Sequence, residues 1–283
     1  MQIPVVIFHV GGNQPYFVNC VNVSSQNNIV YLVGDDSNQH TFKNNNKVRF
    51  FHINDLSSPD TEKFKQCFVN YSGNNHNYEM YCFLRVFYMK ILLEKTDIPW
   101  MFHTDSDCVI LEDVNTIFSQ PFRTAYSIQN MENKYHMVGS IHNSLIDIDF
   151  CNKFIQLCFD IYDNRSKFHL IDEKIQWHRN TRTPGGICDM TLYYLLYSQH
   201  LIDNIVDLNE PFTIVGEDCI FDHNISDAYG YKGKNTYEKQ NGIKVLFKQP
   251  NGYYFKTTDG RLIKTISIHF QGNAKRLLEN FSI

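Results

Sequence analysis

The chain has 283 residues, of which 43% are hydrophobic and 14% are aromatic. This composition supports a large buried core and excludes an intrinsically disordered protein. The formal net charge is −4, whereas nucleic-acid-binding proteins usually carry an excess of basic residues. No nucleic acid partner is therefore expected. The length suits one large α/β domain or two modest ones.

The eight cysteines are scattered, without the CxxC or Cys/His spacing of a zinc site. Several lie in apolar runs, so we expect free thiols in a reducing compartment. The opening stretch "IPVVIFHV" is too short for a secretory signal, and no stretch is apolar for long enough to span a bilayer. The sequence therefore predicts a cytoplasmic protein without a transmembrane segment, and it leaves the oligomeric state unknown.

In chain order, the first third alternates between strand and helix patterns. Apolar, β-branched runs predict strands over residues 4–10, 29–36, 47–53 and 100–111. Helical spacing of apolar side chains predicts helices over residues 15–26, 60–70 and 78–95. This alternation indicates an open sheet with mostly parallel strands.

The second half mixes element types. Apolar spacing predicts helices over residues 151–162 and 188–201, while the polar segment 163–184 is predicted to be mostly an ordinary surface loop. Asn-Gly and Asp-Gly turns between apolar runs near the C-terminus predict a β-hairpin or meander. We therefore expect one α/β domain with a mostly parallel central sheet and a mixed, partly antiparallel C-terminal half.

A short acidic motif, Asp105-Ser106-Asp107, interrupts the apolar run of residues 100–111. Carboxylates beside a buried strand are costly unless they are paired or bound to a cation. In open α/β sheets, ligands bind beyond the carboxyl ends of the strands, and two carboxylate oxygens there suit Mg²⁺ or Mn²⁺. A solvated turn is the alternative, and the motif by itself does not decide between them.

A second motif, "SIHFQGNAKRLL", contains His269, Gly272 and Lys275. A neutral imidazole can supply a third metal ligand, and a lysine at the start of a helix can neutralise diphosphate oxygens. Taken singly, His269 is better explained as a core histidine and Lys275 as a surface lysine. Their pairing with the acidic motif favours a ligand site.

The order D-x-D after an apolar strand, then H-x-x-G-x-x-K, resembles the GT-A class of nucleotide-sugar glycosyltransferases. In these motifs it is most similar to the glycogenin-like hexosyltransferases. The resemblance implies that Asp105, Asp107 and His269 hold Mn²⁺ or Mg²⁺, and that Lys275 contacts the diphosphate of the donor. Ser106 and Gly272 are expected beside the donor as well. The usual Pro-Trp after the lysine is replaced by "RL", which leaves the exact family and a retaining outcome open.

Other landmarks follow the same order along the chain. "VIFHVGGNQPYF" resembles the first GT-A strand and the loop that receives the base and ribose, which implies roles for Val10, Gly11 and Asn13. Arg85, on the helix before the metal strand, is placed to reach the diphosphate, although an arginine extending from a half-buried helix explains it equally well. Asp35 and Asp36 are better explained as a solvated turn than as ribose or base contacts.

Asp189, in "TPGGICDMTLYYLL", is the candidate general base. The helix dipole favours its ionised form, which a base that removes an acceptor proton requires. An N-terminal capping role is the alternative. Glu217, Asp218 and Asp222 are weaker candidates for the same role, and a retaining enzyme would need no base at this position.

The sequence therefore predicts a metal-dependent hexosyltransferase that uses a nucleotide sugar, UDP-linked for preference, and a glycan or another hydroxyl acceptor. Residues 1–112 are assigned to the nucleotide and residues 113–283 to the acceptor, where the Trp177 ring offers a stacking face. One alternative is a sugar nucleotidyltransferase, although "HVGGNQPYF" lacks the basic phosphate loop of that class. The other is a catalytically silent nucleotide-sugar-binding protein on the same fold.

Overall fold

The structure, a computed structural model, describes residues 2–129, 131–226 and 236–282. In these residues the strands are β1 (Val5–Phe8), β2 (Val30–Gly34), β3 (Val48–His52), β4 (Trp100–Thr104), β5 (Cys108–Ile110), β6 (Ala125–Gln129), β7 (Val138–Asp147), β8 (Val206–Asp207), β9 (Phe212–Ile214), β10 (Glu217–Phe221), β11 (Lys239–Gln240), β12 (Ile243–Lys244), β13 (Leu246–Gln249), β14 (Gly252–Lys256) and β15 (Leu262–His269). The α-helices are α1 (Pro15–Asn27), α2 (Pro59–Cys67), α3 (His76–Thr96), α4 (Val114–Ile117), α5 (Ile148–Tyr162), α6 (His169–Thr181), α7 (Asp189–Ser198) and α8 (Lys275–Leu278).

The central sheet has seven strands in the order β3-β2-β1-β4-β7-β6-β8. The first four strands in that order run parallel, and β7 runs antiparallel to β4 and β6. Alternate side chains of one strand enter different cores, because Val6 packs among the helices α3, α5 and α7 while Ile7 packs against α1 and the second sheet. The predicted α/β class with a mostly parallel central sheet is confirmed.

The second sheet runs β13-β14-β15-β10-β9, with β5 paired to β15. Turns that contain Asn251-Gly252 and Asp259-Gly260 join β13, β14 and β15 into antiparallel neighbours, which confirms the predicted meander. The stretch 100–111 forms two strands in different sheets, β4 in the central sheet and β5 in the second. The acidic motif is the turn that carries the chain from one sheet to the other.

The polar segment 163–184 was predicted to be mostly a surface loop. This prediction is wrong, because α6 occupies most of the segment. Ile171 and Ile175 lie one turn apart on this helix and are both buried, which supplies the apolar stripe that the polar composition conceals. Trp177 of α6 stacks on Tyr135 with ring centroids 5.0 Å apart.

Among the described residues, no helix is both long enough and apolar enough to cross a lipid bilayer. All eight cysteines carry free thiols.

Candidate active site

A cleft of about 800 Å³ opens at the carboxyl ends of β1 and β4. It is bounded by one face of α3, the first turn of α7, the start of β7 and the segment after β15. The candidate residues that line it are Val10, Arg85, Asp105, Ser106, Asp107, Asp189, His269, Gly272 and Lys275. Gly11 and Asn13 lie in the adjoining loop rather than in the wall. The fold thus gathers in one place residues that lie far apart in the sequence.

Three potential metal ligands meet in this cleft. Ligand atoms of Asp105, Asp107 and His269 all lie within 4.8 Å of one another, because β15 pairs with β5 and sets His269 opposite Cys108. His269 Nδ1 donates a hydrogen bond to the carbonyl of His223 at 2.7 Å, so Nε2 is the nitrogen that faces Asp107. A second nitrogen fixed by a carbonyl is typical of metal-binding histidines. Two carboxylates and one imidazole suit Mn²⁺, and Mg²⁺ less well.

Two cations neutralise Asp107. Burial alone would lower the pKa of His269, but the hydrogen bond and charge of Asp107 outweigh burial and raise that pKa to about 9. Nε2 of His269 lies 3.4 Å from Asp107 Oδ1, and Lys275 Nζ lies 3.2 Å from Asp107 Oδ2. Burial would raise the pKa of Asp107, and His269 holds it below its ordinary value. A divalent cation bound to the same oxygens would replace the proton of His269.

Arg85 bridges the metal motif to α7. Its Nη1 lies 2.5 Å from Asp105 Oδ1 and its Nη2 lies 2.9 Å from Asp189 Oδ2. Its side chain is 18% exposed, so it points into the cleft rather than out to solvent. Burial would raise the pKa of Asp105, but Arg85 holds it well below its ordinary value. Burial raises the pKa of Asp189 in spite of Arg85.

Asp189 is the first residue of α7, and the capping position belongs to Cys188. Asp189 Oδ1 accepts a hydrogen bond from the backbone N–H of Met190 at 2.8 Å. Together with Glu79 and Cys188 it forms a second group with metal-ligand chemistry. The oxygens of this group already have partners, because Arg85 pairs with Asp189 and two side-chain donors from the loop before α3 bond to Glu79.

Glycines fix the entry to α7. The N–H of Gly73 bonds to the carbonyl of Gly185, and the N–H of Ile187 bonds to the carbonyl of Tyr71. A Cβ on Gly186 would lie 2.1 Å from the Tyr71 carbonyl oxygen, and its φ of +138° disfavours any side chain. The close approach of these two loops therefore holds Asp189 at the cleft.

Replacing Gly186 by alanine is expected to lower the free energy of unfolding by about 3 kcal/mol, because overpacking adds to positive-φ strain. Gly216→Ala is the matched control, since Gly216 has a φ of +82° and no atom lies within 4 Å of the position that a Cβ would take. Strain alone should cost that variant about 1 kcal/mol. Urea unfolding measures both variants, and equal losses would contradict the role given to the Tyr71 contact.

The weaker base candidates lie outside the cleft wall. Asp222 is buried, pairs with Lys244 at 2.7 Å, and accepts a hydrogen bond from the backbone N–H of His269 at 3.1 Å. Asp222 therefore helps to fix the position of His269 through a hydrogen bond to its backbone. Glu217 and Asp218 belong to the start of β10, which does not reach the cleft.

The other residues predicted to contact the base or ribose, in and near the loop after β1, already have hydrogen-bond or ion-pair partners within the protein. Asp35 accepts from the backbone N–H of Gly11 at 2.8 Å, and Asn13 accepts from Thr41 at 2.7 Å. Asp36 pairs with His52 at 3.1 Å. These bonds shape the loop, and Val10 alone among the three predicted loop residues lines the cleft.

Two groups in the cleft were not found by sequence analysis. The ring of His142 on β7 stacks on His269 at 4.6 Å and contacts His223 at 5.0 Å. Burial lowers the pKa of His142 and brings that of His223 to about 3, so both rings are neutral. Nothing in the sequence distinguishes these histidines from core residues. Tyr78 and Tyr81, 64% and 45% exposed, share the cleft face of α3 with Arg85, and their helical spacing was a usable signal.

The sequence matches no known family profile and no curated protein. Solved structures do match the fold. An active-site mutant of LgtC superposes with a TM-score of 0.50 at 9% identity, over 98% of this chain and 94% of that one. Mouse xyloside xylosyltransferase 1 in its apo form gives 0.45 at 12% identity, over 74% of this chain and 87% of that one. GlyE of Streptococcus pneumoniae TIGR4 gives 0.38 at 14% identity, over 74% of this chain and 45% of that one.

The LgtC comparison spans nearly the whole of both chains, and at this identity it shows the fold. The chain therefore has the fold of LgtC, in agreement with the GT-A type of fold predicted from its sequence.

Proposed function

We propose that the protein is a metal-dependent glycosyltransferase that moves a hexose from a nucleotide sugar, UDP-linked for preference, to a hydroxyl acceptor such as a glycan. One observation carries the proposal. Asp105, Asp107 and His269 converge within 4.8 Å of one another, with Lys275 on the same carboxylate, at the edge of the sheet where ligands of α/β folds bind.

In this proposal Asp105, Asp107 and His269 hold Mn²⁺ or Mg²⁺. The bound ion would neutralise the negative charge that develops on the departing nucleoside diphosphate. Lys275 lies beside the same carboxylate, and its cation is placed to contact diphosphate oxygens. Gly272, with a φ of +63°, turns the backbone after β15 toward the cleft, where the donor is expected.

The base and ribose are assigned to the side of the cleft formed by the loop after β1. Val10 is 42% exposed and offers an apolar contact there, while Gly11 and Asn13 maintain the loop through Asp35 and Thr41. Arg85 carries a fixed charge between the metal motif and α7, and we assign to it a contact with the donor.

Asp189 is proposed as the general base of an inverting reaction. Burial raises its pKa, which increases its affinity for a proton, while Arg85 favours its ionised form. A retaining, front-side reaction would need no base here and would instead rely on the metal, Lys275 and the leaving diphosphate, and the anomeric configuration of the product distinguishes the two.

The acceptor is assigned to the tyrosine face of α3. Tyr78 and Tyr81 present exposed rings at the mouth of the cleft, and aromatic faces pack well against sugar rings. Trp177 does not line the cleft and stacks on Tyr135. The division into a nucleotide half, 1–112, and an acceptor half, 113–283, stays a prediction, and the proposed tyrosine face departs from it because Tyr78 and Tyr81 belong to the first half.

The loop after β1 argues against a sugar nucleotidyltransferase. The backbone N–H groups of Gly11 and Gly12 bond to Asp35 and Ser37, so they are not free to bind a triphosphate. A silent binding protein would retain nucleotide affinity without turnover, which donor hydrolysis or transfer measures directly. The free thiols are in keeping with the proposed cytoplasmic location.

Isothermal titration of UDP, GDP and CMP, with and without Mn²⁺, tests the proposal. UDP is expected to bind most tightly and only with the metal. Asp107→Ala should weaken binding by at least about 100-fold, since even the outer partners of metal ligands contribute 10- to 100-fold. Asp218→Ala, an acidic residue outside the cleft, should bind like the native chain. Absence of metal-dependent binding to all three nucleotides would refute the proposal.

A further inference from the structure

His9, which follows β1 directly, connects the metal motif to the loop before α1. Its Nδ1 lies 3.0 Å from Ser106 Oγ, and its Nε2 lies 2.6 Å from Gln14 Oε1. Gln14 Nε2 in turn donates to the carbonyl of Gly11 at 2.9 Å. The ring of His9 is 9% exposed and stacks on Phe17 with centroids 3.8 Å apart. Packing therefore holds the imidazole in this orientation.

The chain of hydrogen bonds permits one direction. The Gly11 carbonyl only accepts, so the amide nitrogen of Gln14 must face it and Gln14 Oε1 must face His9. Oε1 only accepts, so His9 Nε2 carries the proton. Burial lowers the pKa of His9, which leaves the ring neutral and Nδ1 without a proton. Ser106 must then donate its hydroxyl proton to His9.

Each group in this chain donates its proton to the next one, from Ser106 to His9, from His9 to Gln14 and from Gln14 to Gly11. Ser106 Oγ consequently presents only lone pairs to a ligand and can take a hydrogen bond but not give one. Ser106 separates the two carboxylates of the metal motif in the sequence, and it lines the same cleft as Val10 and Tyr16, which follow β1. In a nucleoside diphosphate, the group between the diphosphate and the base is the ribose, and its hydroxyls are donors.

We propose that His9 is a positioning residue that makes Ser106 an acceptor-only group, and that Ser106 thereby takes a hydrogen bond from a ribose hydroxyl of the bound nucleotide. The ribose contact rests on the proposed function, whereas the direction of the hydrogen-bond chain does not. Two experiments separate these parts.

The first experiment measures the tautomer of His9 by ¹⁵N NMR on histidine-labelled protein at neutral pH, with the resonances assigned by their loss in His9→Phe. A protonated Nε2 and an unprotonated Nδ1 are expected. Ser106→Ala should shift the Nδ1 resonance, because it removes the donor, and leave the ring neutral. A proton on Nδ1 would overturn the proposal, whatever the protein binds.

The second experiment compares UDP with 2′-deoxy-UDP and 3′-deoxy-UDP in the presence of Mn²⁺. The native chain is expected to bind UDP about 3- to 10-fold more tightly than one of the deoxy compounds, the usual effect of one neutral hydrogen bond. Ser106→Ala and His9→Phe should each bring this ratio close to one. The double variant should match the single variants, because both remove the same interaction. His40→Ala, at an exposed histidine, should keep the native ratio.

A purely structural role for His9 predicts a different result. His9→Phe keeps an aromatic ring against Phe17, and a general disturbance would weaken UDP and its deoxy forms equally. An unchanged ratio in His9→Phe would therefore overturn the positioning role. A native chain that binds UDP with Mn²⁺ but does not discriminate the deoxy compounds would overturn the ribose contact alone. A native chain that binds none of them would refute the proposed function and the ribose contact together, while the tautomer measurement would still decide the hydrogen-bond chain.

Discussion

Arg85→Met is expected to lower the free energy of unfolding by about 3–5 kcal/mol at neutral pH, the usual effect of removing one partner of a buried ion pair. Methionine fills much of the same volume, so the loss comes from charge. Asp105 and Asp189 would both be left without their shared cation. The larger loss comes from Asp189, whose side chain is 6% exposed against 32% for Asp105, because a desolvated carboxylate without a partner is strongly destabilising. Urea unfolding of the purified variant measures the loss.

The pH dependence of this loss has a definite sign. Burial would raise the pKa of Asp105, but Arg85 holds it well below 3.8 in the folded chain. The stabilisation is therefore complete above pH 3.8 and is lost as the pH falls below it. Removal of Arg85 raises the affinity of both carboxylates for protons, so the variant regains stability on acidification. The difference between the two chains should shrink steadily as the pH is lowered.

A matched control lies on the same helix. Lys90 of α3 has its Nζ 4.0 Å from Asp60, and both side chains are partly exposed. Lys90→Met should cost at most about 1 kcal/mol, as surface pairs do. Addition of Asp189→Asn to Arg85→Met should restore part of the loss, because one of the two uncompensated charges disappears. Equal effects of Arg85→Met and Lys90→Met would contradict the bridging role.

His269 is expected to release about one proton when Mn²⁺ binds at pH 7. The pKa of about 9 means that Nε2 is protonated at neutral pH, and a metal ion must displace that proton. Mn²⁺ affinity should accordingly rise up to about tenfold per pH unit between pH 7 and 9. Titration calorimetry in buffers of different ionisation enthalpy counts the protons. His269→Gln should abolish this release, and Lys275→Met should retain it.

Without added metal, protonated His269 stabilises the fold. This stabilisation decreases as the pH rises, whereas the Mn²⁺ affinity increases. The pKa of His269 is raised from 6.5 to about 9, which corresponds to roughly 3 kcal/mol. This contribution is complete below pH 6.5 and is lost as the pH rises through 9. In a chelating buffer, the native chain should lose stability over that range and His269→Gln should not. Parallel curves for the two chains would show that His269 is not charged.

The elements of the central sheet could be predicted because their signals are local. β1 and β2 are short β-branched runs, and α3 is a long apolar run with a helical period, so their neighbours in sequence determine them. The helix in segment 163–184 could not be predicted from such a local pattern, because only two isoleucines of α6 form its buried face. Predicting that helix needed knowledge of what it packs against.

The metal site depends on contacts that no local pattern contains. The pairing of His269 with Cys108 is a register between distant strands, and only the resemblance of the two motifs to GT-A enzymes placed the histidine beside the carboxylates. His142 lies on a buried strand and His223 follows one, and a histidine in such a place is ordinarily a core residue. Their position against His269 is a property of the folded chain.

The acidic motif joins two sheets, so a metal ion bound there would also affect the rigidity of the fold. Asp105 and Asp107 stand where the chain leaves the central sheet, and His269 ends a strand of the second sheet. A cation held by all three would act as a reversible cross-link between the sheets. Loading the site would then stiffen the whole C-terminal meander, and the chain would open from that side only after the ion had left.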